Sequence, residues 1–378
     1  MSDLATVPLG FVTTVLTVSL CTLVALRPPL PHDPRPFRMS FLLGHLVNEQ
    51  PLLGLLLLAI GVTPTLTSGL GTPAWWLAAA LSAIPVSGLA ALAIRARSAR
   101  PALESSLAAS LGIRAPRTRL SPLRIVLPAV FWRPDVRRLR NRRYGSERHQ
   151  RIDVYRPRGQ AARAPVLLYL HGGGFQTGSK VLGGLPLLHH LAARGWVCAS
   201  ANYRLRTSYA NSLADARQAL AWIREHAEEL GADPARVVVA GGSAGAHLAT
   251  TIALTDGSLA AAIGLYGYYG PAGRPETGTP RSPYDCFSPD APPTMIVHGA
   301  LDTLVPLRAA RRFADELDGV SKAPVVFVEL PGTQHNFDFF HSLRCQAVVD
   351  GLHAFADWAT GGRPAEEPAT TDALRASR

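Results

Sequence analysis

Three side chains in this sequence have the types and settings for nucleophilic catalysis: Ser243, Asp302 and His335. Ser243 stands in Gly241-Gly242-Ser243-Ala244-Gly245, a G-x-S-x-G pattern at a sharp strand-to-helix turn that holds a serine hydroxyl exposed. A hydroxyl is a weak nucleophile until a base takes its proton and N–H groups receive the charge developing on the attacked carbonyl. His335, closing Pro331-Gly332-Thr333-Gln334-His335, is the candidate base. Asp302, closing Gly299-Ala300-Leu301-Asp302, is the candidate that holds the imidazole in the useful tautomer. The run His171-Gly172-Gly173-Gly174-Phe175 offers backbone N–H groups of Gly173 and Gly174, which with that of Ala244 would form an oxyanion hole. G-x-S-x-G recurs by chance in a chain this rich in Gly and Ala, so the weight falls on these partners.

Competing residues are placed as follows. Asp285 and Asp290 sit in an irregular segment and Asp338 lies past the histidine, which leaves Asp302 as the acid. His171 is expected to orient the glycine loop, and His247, one turn into the elbow helix, to be structural. His189 and His190 have no ligand partners in view and read as solvated helix residues. The glycine loop lacks the G-K-[ST] of a phosphate-binding loop. Cys21, Cys198, Cys286 and Cys345 form no C-x-x-C, so neither a zinc site nor a disulfide framework is indicated. No cofactor or metal is implied.

The elements that must position these groups are legible from periodicity. Apolar or alternating runs predict strands at 152–155, 166–170, 196–201, 236–240, 260–266, 294–298 and 325–330. Helical patterns fall at 185–193, 212–230, 307–317 and 346–359. Alternating strands and helices predict an α/β layered domain with a mostly parallel sheet. In such sheets the reacting groups gather at the carboxyl ends of strands, where the glycine loop, Ser243, Asp302 and His335 all fall. The one long irregular segment, 267–293, is dense in Pro, Gly and Tyr and reads as a lid or an insertion.

Upstream the composition changes. Residues 4–26 carry no charge, and neither do residues 51–94. These lengths predict about three transmembrane helices, at about 4–26, 51–70 and 74–94. Arg27, Arg35 and Arg38 in the first loop and Arg95, Arg97 and Arg100 after the third span predict an external N-terminus and a cytoplasmic catalytic domain. Residues 95–141 form an arginine-rich juxtamembrane or cap segment, whose charge suits anionic headgroups; no motif or aromatic pattern for nucleic acid accompanies it. Within it, 120–132 is largely apolar and reads equally as a membrane-dipping stretch, a cap over the site or surface packing. The catalytic domain is expected over 142–360, followed by a disordered tail at 361–378.

Residues 142–359 resemble the hormone-sensitive-lipase-type branch of the α/β-hydrolases. HGGGF at 171–175 and GGSAG at 241–245 match its oxyanion and elbow motifs; NYRL at 202–205, HGALDTLVP at 298–306 and LPGTQHNF at 330–337 are also typical. GSK at 178–180 and the SLADARQALAWI run are similar to feruloyl-esterase-like and formamidase-like relatives. The resemblance implies hydrolysis of carboxylic esters through an acyl-serine, without a cofactor; the segment 267–293, too small to wall a long acyl tunnel by itself, sets the expectation of short-to-medium acyl groups. Membrane-anchored esterases of this kind occur in high-GC actinobacteria, and the bias of arginine over lysine is compatible with that. The N-terminus departs from the family's soluble cap helices. An arylformamidase-like amide hydrolase would use the same triad, and a membrane scaffold on an inactive hydrolase fold would be expected to have lost one of its members. The expected partner is a small-molecule or lipid ester.

Overall fold

The computed structural model describes residues 8–28, 34–68, 70–159 and 162–361, with side chains of 34–39 left aside. The expected tail therefore lies outside the described residues beyond Gly361, and so does the start of the first expected span. Helices α1 (Leu9–Leu26), α2 (Pro34–Glu49), α3 (Pro51–Thr67) and α4 (Pro73–Ala96) form an N-terminal bundle, followed by α5 (Ala99–Leu111) and the short α6 (Pro122–Val126). The rest is β1 (Val136–Arg143), β2 (Arg151–Pro157), β3 (Ala164–Leu170), α7 (Leu185–Ala192), β4 (Val197–Ala201), α8 (Tyr209–Glu225), α9 (Ala227–Leu230), β5 (Ala232–Gly242) and α10 (Ala244–Thr255). Then come β6 (Ala261–Leu265), a short 3₁₀ turn, β7 (Thr294–Gly299), α11 (Leu307–Asp318), β8 (Val325–Leu330) and α12 (Leu343–Ala359).

The strands form one 8-stranded sheet in the order β1-β2-β4-β3-β5-β6-β7-β8. β1 and β2 pair antiparallel, β2 meets β4 antiparallel, and all pairs from β4 to β8 are parallel. Val166 to Leu170 and Val237 to Ala240 are buried on both faces, as continuous Val/Leu runs in a parallel sheet must be. One face packs against α5, α7 and α12, the other against α8 and α10.

The bundle has the reverse character. Helices Leu9–Leu26 and Pro73–Leu111 are long and apolar enough to cross a membrane; a third span would require the bent pair Ser40–Glu49 and Pro51–Thr67, which turns through 90°. Leu66 lies level with Trp75, whose Nε1 donates to its carbonyl (2.7 Å), and Gly54 faces Leu89, so α3 and α4 run antiparallel. Thr22 faces Gly88, and the Arg95 guanidinium donates to the carbonyls of Ala25 (2.7 Å) and Leu26 (3.2 Å), so α1 and α4 run side by side and end together.

Three features differ from the sequence reading. α4 runs on through a short turn into α5, whose Ala99, Leu103 and Leu107 enter the main core of the α/β unit. The start of the arginine-rich stretch is thus part of that unit. Several of its arginines also have internal partners: Arg100 binds Asp350 (2.6 Å) and Arg138 pairs with the buried Asp153. Second, β1 crosses the expected boundary at 142. Its sequence, VRRLRNRR, has no apolar alternation because it is an edge strand, where charge guards the open side. Third, His189 and His190 are buried rather than solvated, because α7 is covered on every side. His189 stands edge-on to Tyr155 (5.0 Å), and His190 Nε2 lies 3.4 Å from His353 Nδ1. Burial, then nearby arginines, pushes His189 down to about 4 and His190 to about 2.

Candidate active site

β5 delivers Ser243 into a turn with φ 54° and ψ −118°, after which α10 begins at once. This strained conformation exists because the chain must reverse within one residue. Its neighbours are held too close for side chains: a Cβ on Gly245 would sit 2.0 Å from the Leu170 carbonyl oxygen, and one on Gly242 would meet the Tyr266 hydroxyl at 2.4 Å. The Ser243 N–H donates to Leu265 O (2.9 Å), tying the elbow to the end of β6.

The glycine loop leaves β3 alongside. Gly173 has φ 121° and Gly174 φ 61°, and among the described residues neither N–H has a protein acceptor. Ala244 is the first residue of α10, where N–H groups have no helical partner. His171 fixes the loop's root. Its ring stacks on Tyr203 (4.4 Å), its Nδ1 contacts Gly172 O (2.7 Å), and the Tyr203 hydroxyl donates to its carbonyl (2.7 Å). Burial pushes His171 down to about 4, so the ring is neutral. His247 is likewise structural, with Nδ1 3.0 Å from the Tyr209 hydroxyl and Nε2 2.9 Å from Gly270 O.

Asp302 follows β7 and His335 follows β8. The Asp302 Oδ2 lies 2.6 Å from His335 Nδ1, while Oδ1 accepts from the N–H groups of Leu304 and Val305 (2.8 Å each). Burial works against the charge on Asp302, but His335 and His298 beside it outweigh burial and hold the carboxyl well below the usual range. The expected competitors point elsewhere. Asp338 accepts from Tyr169 (2.7 Å), Tyr266 (2.5 Å) and the Gly184 N–H (2.8 Å), and Asp285 caps the 3₁₀ turn.

Ser243, Ala244, Gly173, Gly174 and His335 line a single cleft of about 900 Å³, with Asp302 behind the histidine. Tyr268 and Pro271 to Gly273, from the irregular segment, form part of its wall. No residue of 120–132 lines it. That stretch packs instead beside the His335 loop, where the His341 N–H donates to Pro128 O (2.9 Å) and Phe131 meets the His341 ring (5.4 Å).

Two supports escaped the sequence reading. His298 Nε2 lies 3.3 Å from Asp302 Oδ2 and 2.9 Å from Val305 O. It stands four residues before Asp302 in His298-Gly299-Ala300-Leu301-Asp302, so the spacing was available as a signal. Tyr266 packs its ring 4.5 Å from His335 while its hydroxyl is held by Asp338. No sequence spacing announces that contact.

Comparison with known proteins bears on the family and the fold. The profile of the family described as BD-FAE matches residues 152–269. A probable carboxylic ester hydrolase of Mycobacterium tuberculosis, LipM, is 32% identical over 84% of this chain and 85% of its own length. The chain belongs to the hormone-sensitive-lipase-type esterases of the α/β-hydrolase fold. Esterase LipC of the same organism is 31% identical over 69% of this esterase and 76% of its own length. Among solved structures, an esterase from Thermogutta terrifontis superposes with a TM-score of 0.54 at 26% identity, covering 64% of this chain and 98% of that one.

Proposed function

We propose that this ester hydrolase cleaves short-to-medium acyl esters through an acyl intermediate on Ser243. His335 takes the Ser243 proton as Oγ attacks the ester carbonyl, and returns it to the departing alcohol. Asp302 keeps Nδ1 protonated and stabilises the imidazolium. The N–H groups of Gly173, Gly174 and Ala244 receive the oxyanion, and loss of one such donor typically costs about 3 kcal/mol of transition-state stabilisation. Water, activated by the same histidine, then releases the acid. The observation that carries this reading is the 2.6 Å Asp302–His335 contact, with the histidine lining the cleft that also holds Ser243 on its strained elbow.

The acyl preference rests on the short wall 267–293 and on a relative: the Thermogutta esterase has been solved with butyrate and with propionate bound. Rates on p-nitrophenyl esters of increasing length, with a matched anilide, test it. Highest rates at butyrate to octanoate, with the anilide far slower, are expected. Fastest cleavage of palmitate overturns the chain-length reading, and preference for the anilide overturns ester over amide.

For the whole chain we read residues 1–94 as a membrane anchor of three spans, 142–360 as the catalytic domain, and the linking segment as shared between them. Supporting this, α1 and α4 end together at Arg27 and Arg97, both exposed, and α3 starts at the same level. By the positive-inside rule that end is cytoplasmic. An active alkaline phosphatase fused at the C-terminus would overturn this orientation.

A further inference from the structure

The turn between α2 and α3 is the joint between the bundle and the catalytic unit. Asn48 Nδ2 donates to Gly332 O (3.3 Å), Gln50 Nε2 donates to His341 O (3.0 Å), and Glu49 forms a fully buried ion pair with Arg344. Arg344 also donates to Asn48 O (3.1 Å). Gly332 and His341 flank His335 in the β8–α12 connection, and Arg344 stands in the first turn of α12. The bundle is therefore docked on the loop that carries the proposed base, rather than on a remote face of the domain.

The direction of α2 gives this joint a further meaning. The 90° bend divides the pair, so that if the 17-residue α3 alone supplies the third span and stands along the bilayer normal, the Ser40–Glu49 part of α2 lies in the membrane plane. It does so at the level where α1 and α4 end: Gly44 crosses α1 at Val24 and Ala25, so close that an added Cβ would be 3.3 Å from the Ala25 backbone. The exposed cations Arg27 and Arg97 mark the same level, where headgroups belong. One face of α2 exposes Leu42 and Leu46, an i, i+4 pair. The neighbouring face, about 100° round the helix, carries Phe41 and His45, stacked on each other at 4.7 Å. Phe41 stands edge-on to His335 (6.4 Å), and His45 edge-on to Phe339 (6.5 Å), which lines the cleft. The outward leucine face therefore borders the face that meets the proposed base, within roughly one helix diameter of about 10 Å.

A second element on the other flank has the same character. Leu120 and Ile125 share a small cavity with Pro51, Leu52 and Ala96 at the end of the bundle that meets the catalytic unit, and the same stretch exposes Leu123, Leu127 and Trp132. Arg119, Arg124 and Arg133 are interleaved with these apolar residues. An apolar face bordered by arginines is the pattern of a segment that lies in a headgroup–acyl boundary. At the cleft itself, Leu182 and Leu304 are lining residues that remain exposed.

We propose that the cleft takes its ester from the adjoining leaflet: α2 and the 120–132 stretch lie in the interface on the His335 side, and the substrate is a bilayer-resident amphiphile whose acyl ester sits near headgroup depth and enters past Phe339 and Leu182. This inference rests on the esterase reading above and specifies the alcohol half of the substrate, which that reading leaves open. A short acyl group on a long apolar alcohol satisfies both.

The test uses the full chain in phosphatidylcholine–phosphatidylglycerol vesicles and two butyrates, water-soluble p-nitrophenyl butyrate and bilayer-dissolved hexadecyl butyrate. The expected result is hydrolysis of both. Leu42→Gln with Leu46→Gln lowers the hexadecyl to p-nitrophenyl rate ratio by about ten-fold or more, since the apolar face that seats α2 in lipid is gone. Leu127→Gln with Trp132→Gln, on the other flank, lowers the same ratio. The inference is overturned if wild-type protein cleaves p-nitrophenyl butyrate but not hexadecyl butyrate, or if both variant pairs leave the ratio unchanged. Failure to cleave either ester defeats the esterase reading, and this inference with it.

Discussion

In α1, Leu9, Leu16, Leu20 and Leu23 each leave more than half of their surface uncovered, whereas Val166 to Leu170 of β3 are all buried. The two regions use the same residue types in opposite directions. In the α/β unit, strands buried on both faces gain their stability from removing apolar area from water. In the bundle the outward leucines are covered by no protein, and the helices meet through small residues such as Gly44, Gly54 and Gly88. Close approach through small residues is how helices pack when their surroundings are as apolar as they are. The contrast is what the proposed membrane anchor requires of the bundle and a water-soluble core requires of the α/β unit. It also shows that the two regions are one device: the long helix Pro73–Leu111 begins in the first region and ends in the core of the second, and the α2–α3 turn grips the His335 loop.

The largest effect should be confined to the second region. Ser243→Ala is expected to lower ester hydrolysis by about 10⁴-fold or more, with the thermal transition unchanged. A residual rate near wild type would mean that another group attacks.

The joint comes next. Arg344→Met alone leaves Glu49 buried and unpaired, which typically costs about 3–5 kcal/mol. The paired change Glu49→Leu with Arg344→Met should recover most of it, because no lone charge remains. Thermal melts in detergent measure both. If the single variant melts like wild type, the bundle is a passive anchor and the two regions are independent.

Acid should weaken the α/β unit. Burial pushes His171 and His247 down to about 4, so between the ordinary histidine value and that point the unfolded chain binds more protons than the folded one. Stability therefore falls as pH drops through this window, by up to roughly 3 kcal/mol for each histidine. Melting temperature followed from pH 7 to pH 4 checks the sign; a rise on acidification would contradict the assignment of both rings as neutral.

The smallest effect belongs to the bundle. A Cβ on Gly88 would lie 2.3 Å from Thr22 Cγ2, so Gly88→Leu overpacks the α1–α4 contact at a typical cost of about 1–3 kcal/mol. Hydrolysis of p-nitrophenyl butyrate should stay close to wild type. A loss as deep as that of Ser243→Ala would show that the site depends on bundle packing far more than the geometry implies.

Legibility in the sequence followed the same divide between local and distant signals. Ser243, Asp302, His335 and the glycine loop stand at strand ends in short motifs, and the strands that carry them are continuous apolar runs, so both were readable. β1 was not, because an edge strand of arginines has neither run nor alternation. α2 was missed as a helix because its polar end, Asn48-Glu49-Gln50, is held by Arg95 and by residues near 340, and nothing local announces a buried charge whose counter-ion is so distant. His189 and His190 were misjudged for a related reason: a helix covered on all sides by elements distant in the chain has the same sequence as one at the surface. Tyr266, packed under His335 and held by Asp338, is likewise a product of the fold.

The central claim is that Ser243 is the attacking group of the cleft. A fluorophosphonate probe applied to the full chain in vesicles, followed by peptide mass spectrometry, tests it most directly. The account predicts one adduct, on the peptide containing Ser243, absent in Ser243→Ala and much slower to form in His335→Ala. An adduct on a different residue, or labelling of Ser243→Ala at the wild-type rate, would contradict it.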